Sequence, residues 1–189
     1  MRKRTKILLI AVIILVLLAA VSIPTYNSFV NRREIVSESQ SNVSNQLQRR
    51  ADLIPNFVET VKGYSKYEKE TYTAVTEARA AVTDAATVEE TQKASDQLDR
   101  AISVWVNAVT EAYPDLKANT QYVALQDELA GTENRVARAR QDYNQAAKEY
   151  NVAIQKFPGN ILAGLFGFSK ADYFDNAAGT DEVPKVSFD

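Results

Sequence analysis

An uninterrupted apolar run lies near the start of the chain. Residues 7–23 read ILLIAVIILVLLAAVSI without a charge, and Pro24 ends the run. A helix rises about 1.5 Å per residue, so the run reaches roughly 26 Å, close to a hydrocarbon thickness of about 30 Å. The pattern predicts a transmembrane signal-anchor over residues 7–23. A cleaved signal peptide is the alternative, but the cleavage positions that it requires, after Ala20 or Ser22, are poor.

Beyond this run, apolar positions recur at steps of three and four, which is typical of helices and unlike the alternation of strands. The clearest series extends from Tyr122 to Phe157, and a second extends from Val88 to Ala112 with Trp105 as its largest member. Both keep the heptad spacing of a coiled coil, which indicates helices that bury one seam. Two further helices are predicted, one from Ile54 to Val82 and one from Tyr26 to Arg49, which continues the anchor.

Prolines and capping residues divide these helices. Pro55 clashes with the preceding turn of a continuous helix, and Asp52 can cap a new one, so a turn or sharp kink is predicted there. Thr87, with Glu90 three residues later, has the spacing of a capping box. Residues 113–115, Tyr-Pro-Asp, end the third helix. Short links between sequential helices favour antiparallel neighbours.

The predicted fold is therefore all-α, with an N-terminal transmembrane helix followed by an antiparallel up-and-down four-helix bundle. In chain order, we expect a basic segment at 1–6, the anchor at 7–23, the bundle at 24–157, an apolar C-terminal segment at 158–175 and a disordered tail at 176–189.

The C-terminal segment holds an apolar cluster. Phe157-Pro158-Gly159 ends the last bundle helix, and Gly159 is able to take the left-handed conformation that helix ends favour. Residues 160–168, NILAGLFGF, are too few to cross a membrane. The cluster either folds back to close the end of the bundle or contacts lipid or a partner. The candidate membrane or partner contacts are Leu162, Leu165, Phe166 and Phe168.

Composition narrows the classes of function. The chain has 189 residues with 22 basic and 24 acidic side chains, which gives no signature of nucleic-acid binding. It has no Cys and no His, which removes thiolate and imidazole metal ligands, Cys nucleophiles and His bases. We therefore expect no enzyme activity and no cofactor. Arg49 and Arg50 beside Asp52 form a candidate anion site, with a local ion-pair cluster as the favoured interpretation.

Two polar pairs recur on the longest predicted helix. Tyr143-Asn144 and Tyr150-Asn151 are seven residues apart, so both pairs take the same heptad position. Such amides are able to bind a ligand, but hydrogen bonds that fix the register of the bundle are the favoured interpretation.

Charge predicts the orientation of the anchor. Four basic side chains precede the apolar run, whereas two follow it before Glu34. Positive charge is retained on the cytoplasmic side, so the N-terminus is expected in the cytoplasm and the helical domain outside it. The preceding basic residues are Arg2, Lys3, Arg4 and Lys6.

Several longer motifs resemble those of the LemA family. The match covers residues 1–175 approximately, and its motifs are YNSFV, QLQRRADLIPNFVETVKGYSKYE, EAYPDLKAN, LQDELAGTENRVARARQDYNQAAKEYN and FPGNILAGLFGF. The resemblance implies a bacterial envelope protein with one transmembrane helix and a four-helix bundle. It also implies an N-terminus outside the cytoplasm, contrary to the charge count. One branch of the family is associated with membrane invagination.

These observations predict a single-pass protein of the cell membrane without enzyme activity. We expect a scaffold or adaptor whose helical bundle binds the lipid bilayer or an envelope protein partner, with no nucleic-acid partner. The alternative is a membrane-shaping protein that self-associates into a homo-oligomer and contacts lipid.

Overall fold

A computed structural model describes residues 2–62 and 69–175 of the chain. These ranges contain five α-helices, one short 3₁₀ helix and no strand, which confirms the all-α prediction. The disordered tail predicted at 176–189 lies outside the described residues. The helices are α1 (Arg2–Lys62), α2 (Lys69–Asp84), α3 (Val88–Ala112), α4 (Thr120–Gln155) and α5 (Gly159–Phe166), with the 3₁₀ helix at Pro114–Ala118.

The apolar run lies in the first part of α1. Its large side chains, from Ile7 to Ile23, are all about half exposed or more. Within residues 2–62 and 69–175, α1 is the one helix that is long and apolar enough to cross a membrane. A surface this apolar is unfavourable in water and is accommodated by a hydrocarbon environment.

The turn predicted at Pro55 is wrong, because α1 continues through this proline to Lys62. The alternative, a kink within a continuous helix, stays a prediction. A proline inside a helix costs about 3 kcal/mol, since it lacks the N–H that would bond to the carbonyl four residues earlier. Burial of the neighbouring face compensates for this cost. Ala51, Ile54 and Phe57 are almost fully buried, whereas Pro55 itself is exposed. The segment predicted as a separate helix from Ile54 therefore begins as part of α1, and its Tyr64 and Glu68 lie outside the described residues.

The other predicted helix ends agree with the structure. At the start of α3, the Thr87 side chain accepts a hydrogen bond from the N–H of Glu90 at 3.2 Å. The Glu90 carboxylate accepts one from the N–H of Thr87 at 3.0 Å, which completes the capping box. α3 ends before Pro114, and α4 ends before Pro158.

The chain divides into two compact units. The first unit consists of the described residues within Met1–Ser39 and Asn144–Asp172, and the second of those within Gln40–Tyr143 and Tyr173–Asp189. The long helices α1 and α4 each contribute one part to the first unit and the other part to the second.

The core of the second unit draws on α1, α2, α3 and α4. The Phe57 ring lies 4.8 Å from the Trp105 ring, edge to face, and 5.2 Å from the Tyr122 ring. Trp105 is only 4% exposed, which confirms its predicted place in the seam of α3. The buried core residues of this cluster are Ala51, Ile54, Phe57, Val61, Val75, Ala78, Leu98, Ile102, Trp105, Val109, Leu116, Tyr122 and Leu129.

Candidate membrane-contact site

Gly159 sets the position of α5 in the first unit. A Cβ atom at this residue would lie 2.6 Å from the carbonyl oxygen of Ala153 and 3.0 Å from Cζ of Phe29. Only a glycine therefore allows the start of α5 to approach α1 and the end of α4 so closely. The predicted left-handed conformation of Gly159 is wrong. Gly167, with φ of 73°, adopts it instead and ends α5.

α5 exposes its larger apolar side chains and buries its smaller ones. Gly159 and Ala163, four residues apart, form the buried side. Ile161 and Leu165, also four residues apart, are 62% and 74% exposed. Four residues before Ile161, Phe157 is 80% exposed. A helix that faced water on this side would carry polar residues there, so the exposed side is suited to an apolar environment.

An aromatic cluster joins the end of α5 to α1. The Phe166 ring lies 5.1 Å from the Tyr26 ring, and the Phe168 ring lies 5.5 Å from it. Phe168 also contacts Phe29, with ring centroids 5.3 Å apart. Edge-to-face pairs of this kind contribute about 0.5–1.5 kcal/mol each beyond their buried area. Because Tyr26 follows Ile23 by three residues, the cluster holds α5 next to the end of the apolar run.

The four residues predicted as contacts divide into two groups. Leu165 and Phe166 are exposed, whereas Leu162 and Phe168 are half-buried. Sequence reasoning missed Phe157 and Ile161 as exposed members of the same surface. Ile161 lies four residues before Leu165 on α5, and this spacing was the signal that could have found it. Phe157 precedes α5, so helical spacing gave no signal for it. We call Phe157, Ile161, Leu165 and Phe166 the α5 surface.

Polar side chains of α4 hold the chain beyond α5. The Asn151 amide donates to the carbonyl of Ala171 and accepts from its N–H, both at 2.8 Å. The Tyr150 hydroxyl donates to the carbonyl of Ser169 at 2.9 Å. Burial raises the pKa of this hydroxyl, and the charge of Arg33 opposes the rise. Asn151 and Tyr150 therefore hold the segment that follows α5, and both hydrogen-bonding groups of the Asn151 amide are used there.

The candidate anion site around Arg50 is an ion-pair cluster in the second unit. Arg50 is 3% exposed, and its guanidinium donates to the carbonyl of Leu129 at 2.9 Å. The same group lies 3.0 Å from a carboxylate oxygen of Asp99 and 3.4 Å from one of Glu133. Two carboxylates from other helices are thus its ion-pair partners, in place of the sequence neighbour Asp52. Among the described residues, no group of three or more acidic side chains is arranged to hold a metal ion.

Comparison with known proteins gives one family and several relatives. Residues 39–188 match the LemA family. The magnetosome protein MamQ 2 of Paramagnetospirillum magneticum is 26% identical, over 93% of this chain and 74% of the relative. The magnetosome protein MamQ of Magnetospirillum gryphiswaldense is 25% identical, over 88% of this chain and 71% of the relative. Protein LemA of Metamycoplasma hominis is 27% identical, over 87% of this chain and 76% of the relative.

Proposed function

Because this chain belongs to the LemA family, we propose that it is a non-enzymatic scaffold or adaptor of the bacterial envelope. α1 anchors it in the cell membrane, and the α5 surface rests on the same bilayer. The second unit then presents its helices to an envelope protein partner. This division of roles agrees with the exposed apolar residues of the first unit and with the packed core of the second.

The position of the α5 surface relative to the apolar run supports membrane contact most directly. Tyr26 lies three residues beyond Ile23, so about 4.5 Å separates them along the helix axis. This distance lies within the headgroup region, which borders the hydrocarbon core. Phe166 contacts Tyr26 at 5.1 Å, which brings the α5 surface to the same level. Burial of a side chain such as Leu165 in the acyl boundary stabilises the contact by about 1.5–3 kcal/mol.

The proposed fold of the scaffold includes the up-and-down antiparallel four-helix bundle. The shared core of α1, α2, α3 and α4 supports it, because each of these helices buries one face in the same cluster. The short link from Asp84 to Val88 supports antiparallel packing of α2 and α3.

Spin labelling tests the membrane contact. The chain has no cysteine, so a single cysteine introduced at position 165 labels one site of the full-length protein. Val104 is a matched control, because it is an apolar side chain that is 60% exposed in the second unit. In vesicles, we expect the label at 165 to be accessible to oxygen dissolved in lipid and the label at 104 to be accessible to a water-soluble nickel complex. Equal access of the nickel complex to both labels would contradict the proposal.

Membrane shaping is the second candidate function, and the exposed apolar side chains of the α5 surface beside the end of the apolar run favour it. Apolar side chains inserted into one leaflet beside an anchor expand that leaflet, which bends the bilayer. Vesicles that carry the parent protein would then form tubules or clusters, and Leu165→Asp with Ile161→Asp would abolish them. A scaffold without shaping activity would leave the vesicles round with the parent protein and with the double variant, and cryo-electron microscopy measures their shape.

A further inference from the structure

A crevice of about 340 Å³ lies between α1 and the end of α5, entirely within the first unit. This volume reaches the lower end of the range of small-molecule sites, about 300 Å³. The residues that line it are Ser22, Ile23, Tyr26, Asn27 and Phe166.

The crevice changes in polarity along α1. Ile23 belongs to the apolar run, and it faces Phe166, which forms the other apolar wall. Asn27 lies four residues further along the helix, about 6 Å towards the headgroup level. Its exposed amide offers two donors and one acceptor. An apolar end joined to a hydrogen-bonding end matches an amphiphilic molecule with an acyl chain and a polar head.

The crevice is also continuous with the exposed apolar surface of the membrane helix. Ile23 is 61% exposed and Phe166 is 47% exposed, so neither side chain closes the opening. A molecule of the bilayer can therefore enter sideways without leaving the membrane.

We propose that this crevice binds one phospholipid molecule. An acyl chain packs between Ile23 and Phe166, and the ester or headgroup region meets the amide of Asn27. The proposal rests on the proposed function in one respect, since it requires α1 to span the bilayer. It goes beyond it by assigning a defined lipid site between the anchor and α5, distinct from the outward contact of Leu165.

Photo-crosslinking of the full-length protein tests this site. A photoreactive amino acid is placed at position 27, which lines the crevice, or at Ser28, which is exposed at nearly the same depth but does not line it. The protein is reconstituted in vesicles of phosphatidylethanolamine and phosphatidylglycerol in equal parts. We expect lipid adducts at position 27 to fall roughly tenfold with Phe166→Ala, because the acyl chain loses one apolar wall. Adducts at position 28 should not change.

Two further variants separate loss of the site from loss of folding. Ile23→Ala removes the opposite wall from an exposed position and should also reduce adducts at position 27. Val30→Ala removes an exposed side chain of α1 that does not line the crevice, and it should leave these adducts unchanged. Equal yields of lipid adducts at positions 27 and 28 would overturn the proposal, because they would indicate ordinary boundary lipid. An adduct yield at position 27 that changes with neither Phe166→Ala nor Ile23→Ala would overturn it as well.

The spin label at position 165 distinguishes this failure from failure of the proposed function. Lipid access at 165 without a crevice-specific adduct overturns the lipid site alone. Water access at 165 together with adducts that depend on Phe166 overturns the outward contact of α5 and supports the lipid site.

Discussion

The buried guanidinium of Arg50 contributes to the stability of the second unit through its ion pairs. We expect Arg50→Leu to lower the free energy of unfolding of the second unit by about 2–3 kcal/mol, because it leaves the Asp99 carboxylate without the guanidinium that lies 3.0 Å from it. Fully buried pairs lose about 3–5 kcal/mol in such variants, and the loss is smaller here because the Asp99 side chain is 38% exposed. Urea unfolding in detergent, followed by fluorescence of the single Trp105, measures the change.

Arg49 provides the adjacent control for this variant. Its side chain is 64% exposed and lies 3.7 Å from Glu128, so Arg49→Leu should change the free energy of unfolding by less than about 1 kcal/mol. Equal effects of the two variants would refute the burial of the Arg50 ion pairs.

Asp99 makes the stability of the second unit depend on pH. Burial raises the pKa of Asp99 above its ordinary value of 3.8, and the positive charge of Arg50 opposes the rise. A raised pKa in the folded state means that the contribution of Asp99 to stability is complete below 3.8 and is lost as pH rises through the folded pKa. The other charged groups that act on it are Glu133 and Asp96, which reinforce the rise, and Arg140, which opposes it.

The stability of Asp99→Asn relative to the parent should therefore increase as pH rises from about 4 to 7. The asparagine stays neutral over this range, whereas the parent carboxyl becomes charged in a poorly solvated place. Chemical unfolding at a series of pH values measures the difference. Gln97→Asn, which exchanges one neutral amide for another at an exposed position of α3, should show no such trend. A constant difference between Asp99→Asn and the parent would rule out this titration.

In α1, the local preference of Pro55 for a helix break disagrees with the packing of the residues around it, which keeps the helix continuous. We expect Pro55→Ala to raise the free energy of unfolding by about 2 kcal/mol. The variant gains about 3 kcal/mol, because it restores the hydrogen bond to the Ala51 carbonyl and removes the clash of the proline ring. It loses about 1 kcal/mol of this gain, because alanine gives the unfolded chain more conformational freedom than proline. Urea unfolding followed by circular dichroism would measure it. A helix that began near Pro55 would instead lose stability, because proline is favourable in the first turn.

Asn151 of α4 is one of the two side chains that hold the segment after α5. Asn151→Ala removes two hydrogen bonds to Ala171, each of which contributes about 1 kcal/mol. Hydrogen exchange at the Ala171 amide should accelerate by roughly 10- to 30-fold. Gln145→Ala is the control, because it removes an exposed hydrogen bond to Glu149 on the same helix. An unchanged rate at Ala171 would mean that Asn151 does not hold this segment.

For the whole molecule, orientation in the membrane stays a prediction. The four basic side chains before the apolar run predict a cytoplasmic N-terminus, so a C-terminal reporter that is active only outside the cytoplasm should be active. Neutralising Arg2, Lys3, Arg4 and Lys6 should weaken that activity. Activity of a cytoplasmic reporter in the parent chain would instead agree with the orientation that the LemA resemblance implies.

Much of the fold followed from patterns that act over a few residues. The capping box at Thr87 and the proline at 114 place the ends of α3, because capping and loss of an N–H act within one turn. The sequence also showed the apolar cluster after Pro158, but it did not show which side chains of this cluster face outward. The side of α5 that faces outward depends on Gly159, because this glycine lets α5 approach Phe29 and Ala153 with its small residues inward.

The amino-acid order alone was sufficient for the apolar run, the all-α class, the seam that contains Trp105 and the family. Each of these depends on composition, periodicity or a contiguous motif. The continuity of α1 through Pro55 and the partners of Arg50 required the folded chain. Burial of Phe57 against Trp105 outweighs the local cost of a proline, and the carboxylates of Asp99 and Glu133 are distant from Arg50 in sequence. Such long-range contacts leave no local signal, because their energy arises only when separate helices pack together.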